Sequence, residues 1–64
     1  MKKEALKSAR LQANMTQKEV AEALGISQPV VAGWEIGKGS PSVTRLIELA
    51  DIYNTTIDKL VGRS

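Results

Sequence analysis

The sequence predicts a compact all-α domain of five short helices, and three observations carry this prediction. Apolar residues recur at intervals of three and four along most of the chain, as expected for helices that bury one face. Ser or Thr precedes most of these stretches and Gly or Asn follows them, which are the residues that start and end helices. No segment alternates between apolar and polar residues with the period of two that marks a strand.

The 64 residues suffice for one domain, residues 1–64, and contain no repeat or linker. A chain this short buries only about 60% of the surface that its unfolded form exposes, so helix packing must supply its stability. The sequence has no cysteine and no histidine, so we expect no disulfide, no metal and no cofactor. The lack of cysteine fits a reducing compartment, and we expect a cytoplasmic protein. No apolar run approaches the ~20 residues of a membrane helix.

A first helix is predicted over residues 3–13. It turns Leu6, Ala9 and Ala13 inward and ends at Asn14, a residue that tolerates the left-handed conformation. The second helix is predicted over residues 17–24, with an apolar stripe formed by Val20, Ala21 and Leu24.

The ends of the second helix are the clearest signals in the chain. Thr16 is a suitable N-cap, and Glu19 three residues later completes a capping box. Gly25 follows at the position where a helix end turns left-handed.

After one tight turn, a third helix is predicted over residues 28–35. Ser27 caps it, and Pro29 lies in its first turn, where a missing N–H costs nothing. Its apolar stripe is Val31 and Trp34. The order of helix, glycine-containing turn and helix over residues 16–36 is that of a helix-turn-helix motif.

Two more helices complete the predicted domain. The fourth covers residues 43–53, begins after the cap Ser42 and ends at Asn54. The fifth is short, with Thr56 as its cap and Gly62 as its end. The inward residues expected in the fourth helix are Leu46, Leu49 and Ala50, and the fifth helix is expected to run through Ile57, Leu60 and Val61.

Nine basic residues against seven acidic ones give a net charge of +2, which alone says little about a partner. Their placement says more. The basic residues near the start are Lys2, Lys3, Lys7 and Arg10, and acidic residues of the last third are Glu48, Asp51 and Asp58. This distribution suits a partner that carries negative charge on one side.

In its ordered motifs the chain resembles the lambda-repressor-like DNA-binding domains, the family of the lambdoid phage repressors, the Cro proteins and many bacterial regulators of the XRE type. The resemblance covers about residues 3–62. The matching residues include Leu6, Arg10, Thr16, Gln17, Val20, Ala21, Leu24, Gly25, Ile26, Ser27, Gln28, Val31, Trp34, Glu35, Gly37, Pro41, Ser42, Leu46, Leu49, Ala50, Ile57, Asp58, Lys59 and Leu60. The resemblance implies a bacterial or phage regulator of transcription, by default a repressor, that binds double-stranded DNA.

The resemblance also implies that the third helix enters the major groove with its N-terminal residues at the base edges. Gln28 can present its amide to adenine N6 and N7. Unlike many relatives, this chain has small or apolar residues at the other outward positions, and Ile36 where a polar or basic residue is common. The expected base-contacting residues are Gln28, Pro29, Val30, Ala32 and Gly33. The apolar ones suit thymine methyl groups and short T-rich half-sites; otherwise specificity rests on DNA shape.

Gln17 resembles the phosphate-binding glutamine of the family. The other expected phosphate contacts are Thr16, Lys38, Arg10 and Lys7. Two of these have a competing structural role: Thr16 as a helix cap, and Arg10 as the partner of Glu35, because the matching residues often form an ion pair in the family. We favour the structural role for both.

Members of the family bind palindromic sites as dimers, so the resemblance implies a homodimer on DNA. The candidate dimer interface is Tyr53, Ile57, Leu60 and Val61. Of these, Val61 is the best candidate, because Ile57 and Leu60 are expected to belong to the core. The sequence does not decide between a complete Cro-like regulator and the N-terminal part of a longer repressor.

Other function classes fit less well. Without His or Cys the usual general base and thiol nucleophile are missing, so we expect no enzyme. The glycines around Lys38 lack the spacing of a phosphate-binding loop. The rival hypothesis is a protein-interaction module, such as an antitoxin-like or adaptor domain, whose partner covers the apolar face of the third helix.

Overall fold

A computed structural model describes residues 3–62, and their side chains from residue 4, as an all-helical domain. Its five helices are α1 (Lys3–Gln12), α2 (Gln17–Leu24), α3 (Gln28–Ile36), α4 (Val43–Ile52) and α5 (Ile57–Leu60). The all-α prediction is confirmed, and the helix bounds differ from the predicted ones by one residue at most, at the C-terminal ends. No strand occurs in residues 3–62, and no helix there has the length and apolar character needed to cross a membrane. Lys2 and the Lys3 side chain, both expected in the basic segment, lie outside the described part.

The starts of the helices follow the predicted caps, with one exception. The Glu19 N–H donates to the Thr16 hydroxyl at 3.1 Å, and the Thr16 N–H donates to the Glu19 carboxylate at 2.8 Å, which completes the capping box. The hydroxyls of Ser42 and Thr56 each accept a backbone N–H from three residues further on, at 3.3 and 3.2 Å. Ser27 occupies the cap position of α3 but makes no side-chain hydrogen bond. The first turn of α3 therefore depends on Pro29 rather than on a side-chain cap.

The helices also end as the sequence predicts. Asn14, Gly25, Gly37 and Asn54 adopt φ values between 53° and 82°, in the left-handed region. After each of them, the N–H of the next residue reaches back to the carbonyl five residues earlier. This is the Schellman arrangement, which satisfies carbonyls at the end of a helix and turns the chain sharply.

The core lies where the helices converge. Its buried apolar residues are Leu6, Val20, Ala21, Val31, Leu46, Leu49, Tyr53 and Leu60. Helix α3 packs against α2 and α1, and α5 packs against α1 and α4. Ala21 is only 3% exposed, so a larger side chain there would push α2 and α3 apart. Because two helices hold α3 on one side, its other side is left on the surface.

Candidate nucleic-acid interface

Helix α3 has a buried inner face and an outer face that points away from the domain. Val31 and Glu35, one turn apart, are 1% and 8% exposed and define the inner face. At 100° per residue, Pro29, Gly33 and Ile36 lie on the opposite side of the helix. Pro29 is exposed, and Ile36 is 57% exposed. Since Glu35 is the only acidic residue of α3 and faces inward, the outer face carries no negative charge.

The five residues expected at base edges fall into two groups. Gln28, Pro29 and Val30 form an exposed N-terminal turn, whereas Ala32 and Gly33 in the next turn are half-buried. An α-helix with its side chains is about 10–12 Å in diameter, which fits the ~12 Å width of the major groove. Size and exposure are therefore suited to insertion of α3 into that groove.

The absence of a side chain at Gly33 is not required by packing within the domain. A Cβ placed there would meet only the Cβ of Lys38, at 3.9 Å, which is an ordinary contact. The backbone of Gly33 has a defined partner, because its carbonyl accepts the Lys38 N–H at 2.9 Å. Lys38 is therefore anchored by its backbone beside the end of α3, with an exposed side chain.

Behind the outer face, a polar cluster ties three helices together. The Arg10 guanidinium of α1 donates from Nε to Glu35 Oε2 at 2.7 Å and from Nη2 to Glu35 Oε1 at 3.1 Å. Its Nη1 donates to the Met15 carbonyl at 2.9 Å. Gln17, the first residue of α2, donates from Nε2 to Glu35 Oε1 at 3.0 Å. We refer to Arg10, Gln17 and Glu35 as the inner polar cluster.

The charges of the inner polar cluster stabilise each other. Burial alone would raise the pKa of the Glu35 carboxyl, but hydrogen bonds from Arg10 and Gln17 and the positive charges of Arg10 and Lys7 outweigh burial and lower this pKa. The hydrogen bond to Glu35 raises the pKa of Arg10. Burial, together with the nearby Glu35 charge, raises the pKa of Tyr53 to about 12. Glu35 and Arg10 are therefore both charged, and Tyr53 is neutral, at physiological pH.

The residues expected to contact phosphates differ in how far they are exposed to solvent. Arg10 is 8% exposed and its guanidinium is directed at groups inside the domain. We therefore assign Arg10 to the scaffold, as the partner of Glu35 that the sequence analysis favoured, rather than to the phosphate-contacting set. Gln17 is half-buried, whereas Thr16, Lys7 and Lys38 are exposed. The Thr16 hydroxyl already accepts the Glu19 N–H of the capping box.

Comparison with known proteins identifies the family. The family model described as helix-turn-helix matches residues 6–60, which include most of α1 and all of α2 to α5. The chain belongs to the XRE-type helix-turn-helix family. Members of this family are DNA-binding regulators rather than enzymes, so the chain is a helix-turn-helix DNA-binding domain. No solved structure matches the chain significantly.

Three curated relatives illustrate the range of this helix-turn-helix family. The cryptic phage CTXphi transcriptional repressor RstR of Vibrio cholerae is 38% identical over 95% of this chain and 54% of its own length. The HTH-type transcriptional regulator AnsR of Bacillus subtilis is 40% identical over 91% of this chain and 50% of its own. The HTH-type transcriptional activator BcrR of Enterococcus faecalis is 36% identical over 92% of this chain and 29% of its own. The chain thus spans about half the length of these relatives, or less.

Among the polar contacts of this helix-turn-helix domain that were not anticipated from the sequence, two sets join different helices. One is the Gln17–Glu35 hydrogen bond, which joins residues 18 positions apart and leaves no local signal in the sequence. In the other, Arg45 Nη1 donates to the Leu24 carbonyl at 3.3 Å and to Glu48 Oε1 at 2.8 Å, which ties α4 to the end of α2. The spacing of three between Arg45 and Glu48 was a visible sign of their ion pair, but not of the Arg45–Leu24 hydrogen bond.

The candidate dimer residues are also reassigned. Tyr53 is 6% exposed and Leu60 is fully buried, so the core already covers both, and neither is available to a second copy. Ile57 was expected in the core, but it is 37% exposed, whereas Leu60, one turn later, is the residue that α5 directs inward. Val61 is half-buried. Ile57 and Val61 therefore remain as apolar residues with free surface near α5.

No metal site is indicated in the described part of the chain. Residues 3–62 contain no group of three acidic side chains close enough together to hold an ion.

Proposed function

We propose that the chain is the DNA-binding domain of a sequence-specific transcription regulator that inserts α3 into the major groove. The observation that carries this proposal is the orientation of α3. Val31 and Glu35 anchor its inner face, and the turn that begins at Gln28 projects from the surface. Repression is the simplest mode of action, since a domain bound at a promoter blocks polymerase without further parts.

Base recognition is assigned to the first two turns of α3. The Gln28 amide is suited to a bidentate contact with adenine N6 and N7. Pro29, Val30 and Ala32 offer apolar surface to thymine methyl groups, and Gly33 permits close approach of the backbone. Since Gln28 is the only outward residue of α3 with hydrogen-bonding groups on its side chain, we expect short half-sites that contain adenine and several thymines.

Phosphate contacts are assigned to both sides of the groove. On one side, the first turn of α2 has backbone N–H groups without partners in the helix, a common anion site, and Gln17 lies there beside Thr16. On the other side, Lys38 follows the end of α3 with an exposed side chain. Lys7 on α1 adds a positive charge. These groups attract DNA of any sequence and fix the orientation of α3.

A single module of this size covers about 600–1,000 Å² of its surface on DNA, which is small for tight specific binding. We therefore propose that two copies bind a palindromic site, with half-sites about 34 Å apart. Ile57 and Val61 are the apolar residues near α5 through which the two copies would touch.

The test is a gel-shift titration on random duplex and on a site selected from random DNA, at several salt concentrations. A DNA-binding domain loses affinity steeply with salt, because bound phosphates release counterions. We expect Gln28→Ala to cost roughly 1–3 kcal/mol on the selected site and little on random DNA. Lys38→Ala is the matched control and should weaken binding to both DNAs alike. An unchanged ratio of specific to random affinity in Gln28→Ala would contradict the assignment of α3.

One observation favours a second candidate function. Val30 and Ile36 are 42% and 57% exposed although both are apolar, and a protein partner would cover them as readily as DNA. In that case the titration would give no binding at low salt, or binding that does not respond to salt.

A further inference from the structure

We infer that Glu35 is a positioning residue for DNA binding: it holds the Gln17 amide in the orientation that a phosphate contact requires. The inference deepens the proposed function, because it rests on the assignment of Gln17 to a phosphate. It adds that the inner polar cluster contributes to DNA affinity as well as to the stability of the fold.

The first step of the argument is the direction of the Gln17 amide. A glutamine amide has two N–H donors on one side and a carbonyl acceptor on the other, all in one plane. In this structure one Nε2–H of Gln17 points at Glu35 Oε1, at 3.0 Å. Because the group is planar, fixing one N–H also fixes the direction of the second N–H and of the carbonyl oxygen. The second N–H then remains available at the start of α2, where backbone N–H groups also face outward.

The second step is that only a carboxylate at position 35 imposes this orientation. An ionised carboxylate accepts hydrogen bonds and donates none, so Glu35 repels the Gln17 carbonyl and attracts its amino group. Without that carboxylate the amide is free to turn over, and its carbonyl oxygen would face the negatively charged phosphate. Glu35 therefore determines which end of Gln17 is presented to DNA.

The third step explains why Glu35 requires Arg10. A lone carboxylate close to the DNA backbone would repel the phosphates. The Arg10 guanidinium donates two hydrogen bonds to Glu35, at 2.7 and 3.1 Å, and cancels its charge locally. Arg10 is in turn fixed by the Met15 carbonyl at 2.9 Å. The chain of contacts from Arg10 through Glu35 to Gln17 thus positions a donor without adding net negative charge.

The test measures the effect of Gln17→Ala on binding to random duplex in two backgrounds, the wild type and the double variant Arg10→Met/Glu35→Leu. The double variant leaves the net charge unchanged, and replacing both partners of a buried pair with apolar residues is often neutral or stabilising. Far-ultraviolet circular dichroism and the fluorescence of the single tryptophan, Trp34, report whether it is folded. Should it be unfolded, the pair Arg10→Leu/Glu35→Met takes its place.

We expect Gln17→Ala to weaken binding by about two- to tenfold in the wild type, the range that corresponds to the loss of one hydrogen bond of typical strength. In the double variant, where nothing orients Gln17, the same substitution should have little effect. Lys38→Ala is the matched control, and it should weaken binding equally in both backgrounds. A purely structural role of the ion pair would not alter the size of the Gln17→Ala effect.

The outcomes separate this inference from the proposed function. Equal losses for Gln17→Ala in the two backgrounds would overturn the inference and leave DNA binding intact. The inference would also be overturned, with DNA binding intact, if Gln17→Ala had no effect on binding in the wild type while Lys38→Ala weakened a salt-dependent complex. Absence of any salt-dependent binding would overturn the proposed function itself.

Discussion

Removing Arg10 should destabilise this domain far more than removing Arg10 and Glu35 together. The Glu35 side chain is 4% exposed, and two of its three hydrogen bonds come from Arg10. Arg10→Met leaves that carboxylate buried with only the Gln17 amide as a partner, and breaking a buried pair in this way costs about 3–5 kcal/mol. At about 0.05–0.15 kcal/mol per residue, a domain of this length has a free energy of unfolding of only about 3–10 kcal/mol. Arg10→Met should therefore lose a large part of its stability.

The pH dependence of stability provides a second test of the role of Arg10. In the wild type the pKa of Glu35 is lower in the folded state than in the unfolded state, where it is about 4.3. The ionised carboxylate therefore contributes to stability above about pH 4.3, and this contribution is lost as the pH falls through the folded-state pKa. Without Arg10, burial becomes the dominant influence and raises the folded pKa. Protonation then favours the folded state. The difference in stability between the wild type and Arg10→Met should thus shrink as the pH is lowered from 7 to 4.

Urea unfolding followed by the fluorescence of Trp34 measures these differences, because this half-buried residue packs against the core. The comparison set is the wild type, Arg10→Met, and the double variant Arg10→Met/Glu35→Leu, at pH 7 and at pH 4 to 5. We expect the free energy of unfolding of the double variant to be within about 1.5 kcal/mol of the wild-type value, since the two introduced side chains are apolar and similar in volume to those they replace. The reasoning would be refuted if the double variant were less stable than Arg10→Met, or if the deficit of Arg10→Met did not depend on pH.

Four further predictions follow from individual residues and from the DNA. Replacing thymine by uracil in a selected site should weaken binding about fourfold for each methyl group contacted by α3, at about 0.8 kcal/mol per buried carbon; a gel shift measures this, and equal affinities would argue against methyl recognition. Gly33→Ala should raise the thermal stability by up to about 1 kcal/mol, because the new Cβ has room and alanine favours a helix; a lower melting temperature would contradict the packing described. Thr16→Ala should cost about 1 kcal/mol in unfolding, whereas Thr16→Ser, which keeps the capping hydroxyl, should cost little. Tyr53 has a pKa of about 12 in the folded state and about 10 when unfolded, so stability should fall as the pH rises from 10 towards 12, and less steeply in Tyr53→Phe.

The local structure of this chain was predictable from its sequence, because it depends on contacts between near neighbours. Thr16 and Glu19, three residues apart, form the capping box that their spacing predicts, and Asn14 and Asn54 take the left-handed conformation expected at helix ends. The apolar spacing of three and four likewise identified most of the core residues, including Leu46 in α4, although Ile57, which was also expected inward, is exposed.

What the sequence left open depends on distance in space rather than along the chain. Ile57 and Leu60 share the same helical spacing, yet one is at the rim and the other is fully buried; only the packing of α5 against α1 and α4 distinguishes them. The Gln17–Glu35 hydrogen bond joins two helices and requires Arg10 of a third. No pattern within a single helix contains that information, so the place of Gln17 in the inner polar cluster emerged only from the assembled fold, whereas the Arg10–Glu35 pair was expected from the family resemblance.

Helix α3 has an unusual distribution of polarity, and this distribution is itself an argument about its function. A surface helix ordinarily buries apolar residues and exposes charged ones. In α3 the charged residue, Glu35, is buried, whereas the apolar Val30 and Ile36 are exposed. The buried charge is accounted for by Arg10 and Gln17, but nothing within residues 3–62 covers Val30 and Ile36. A partner that covers this apolar surface removes it from water, which favours binding. A major groove lined with thymine methyl groups offers such a surface at the place where the proposed phosphate contacts would hold the helix.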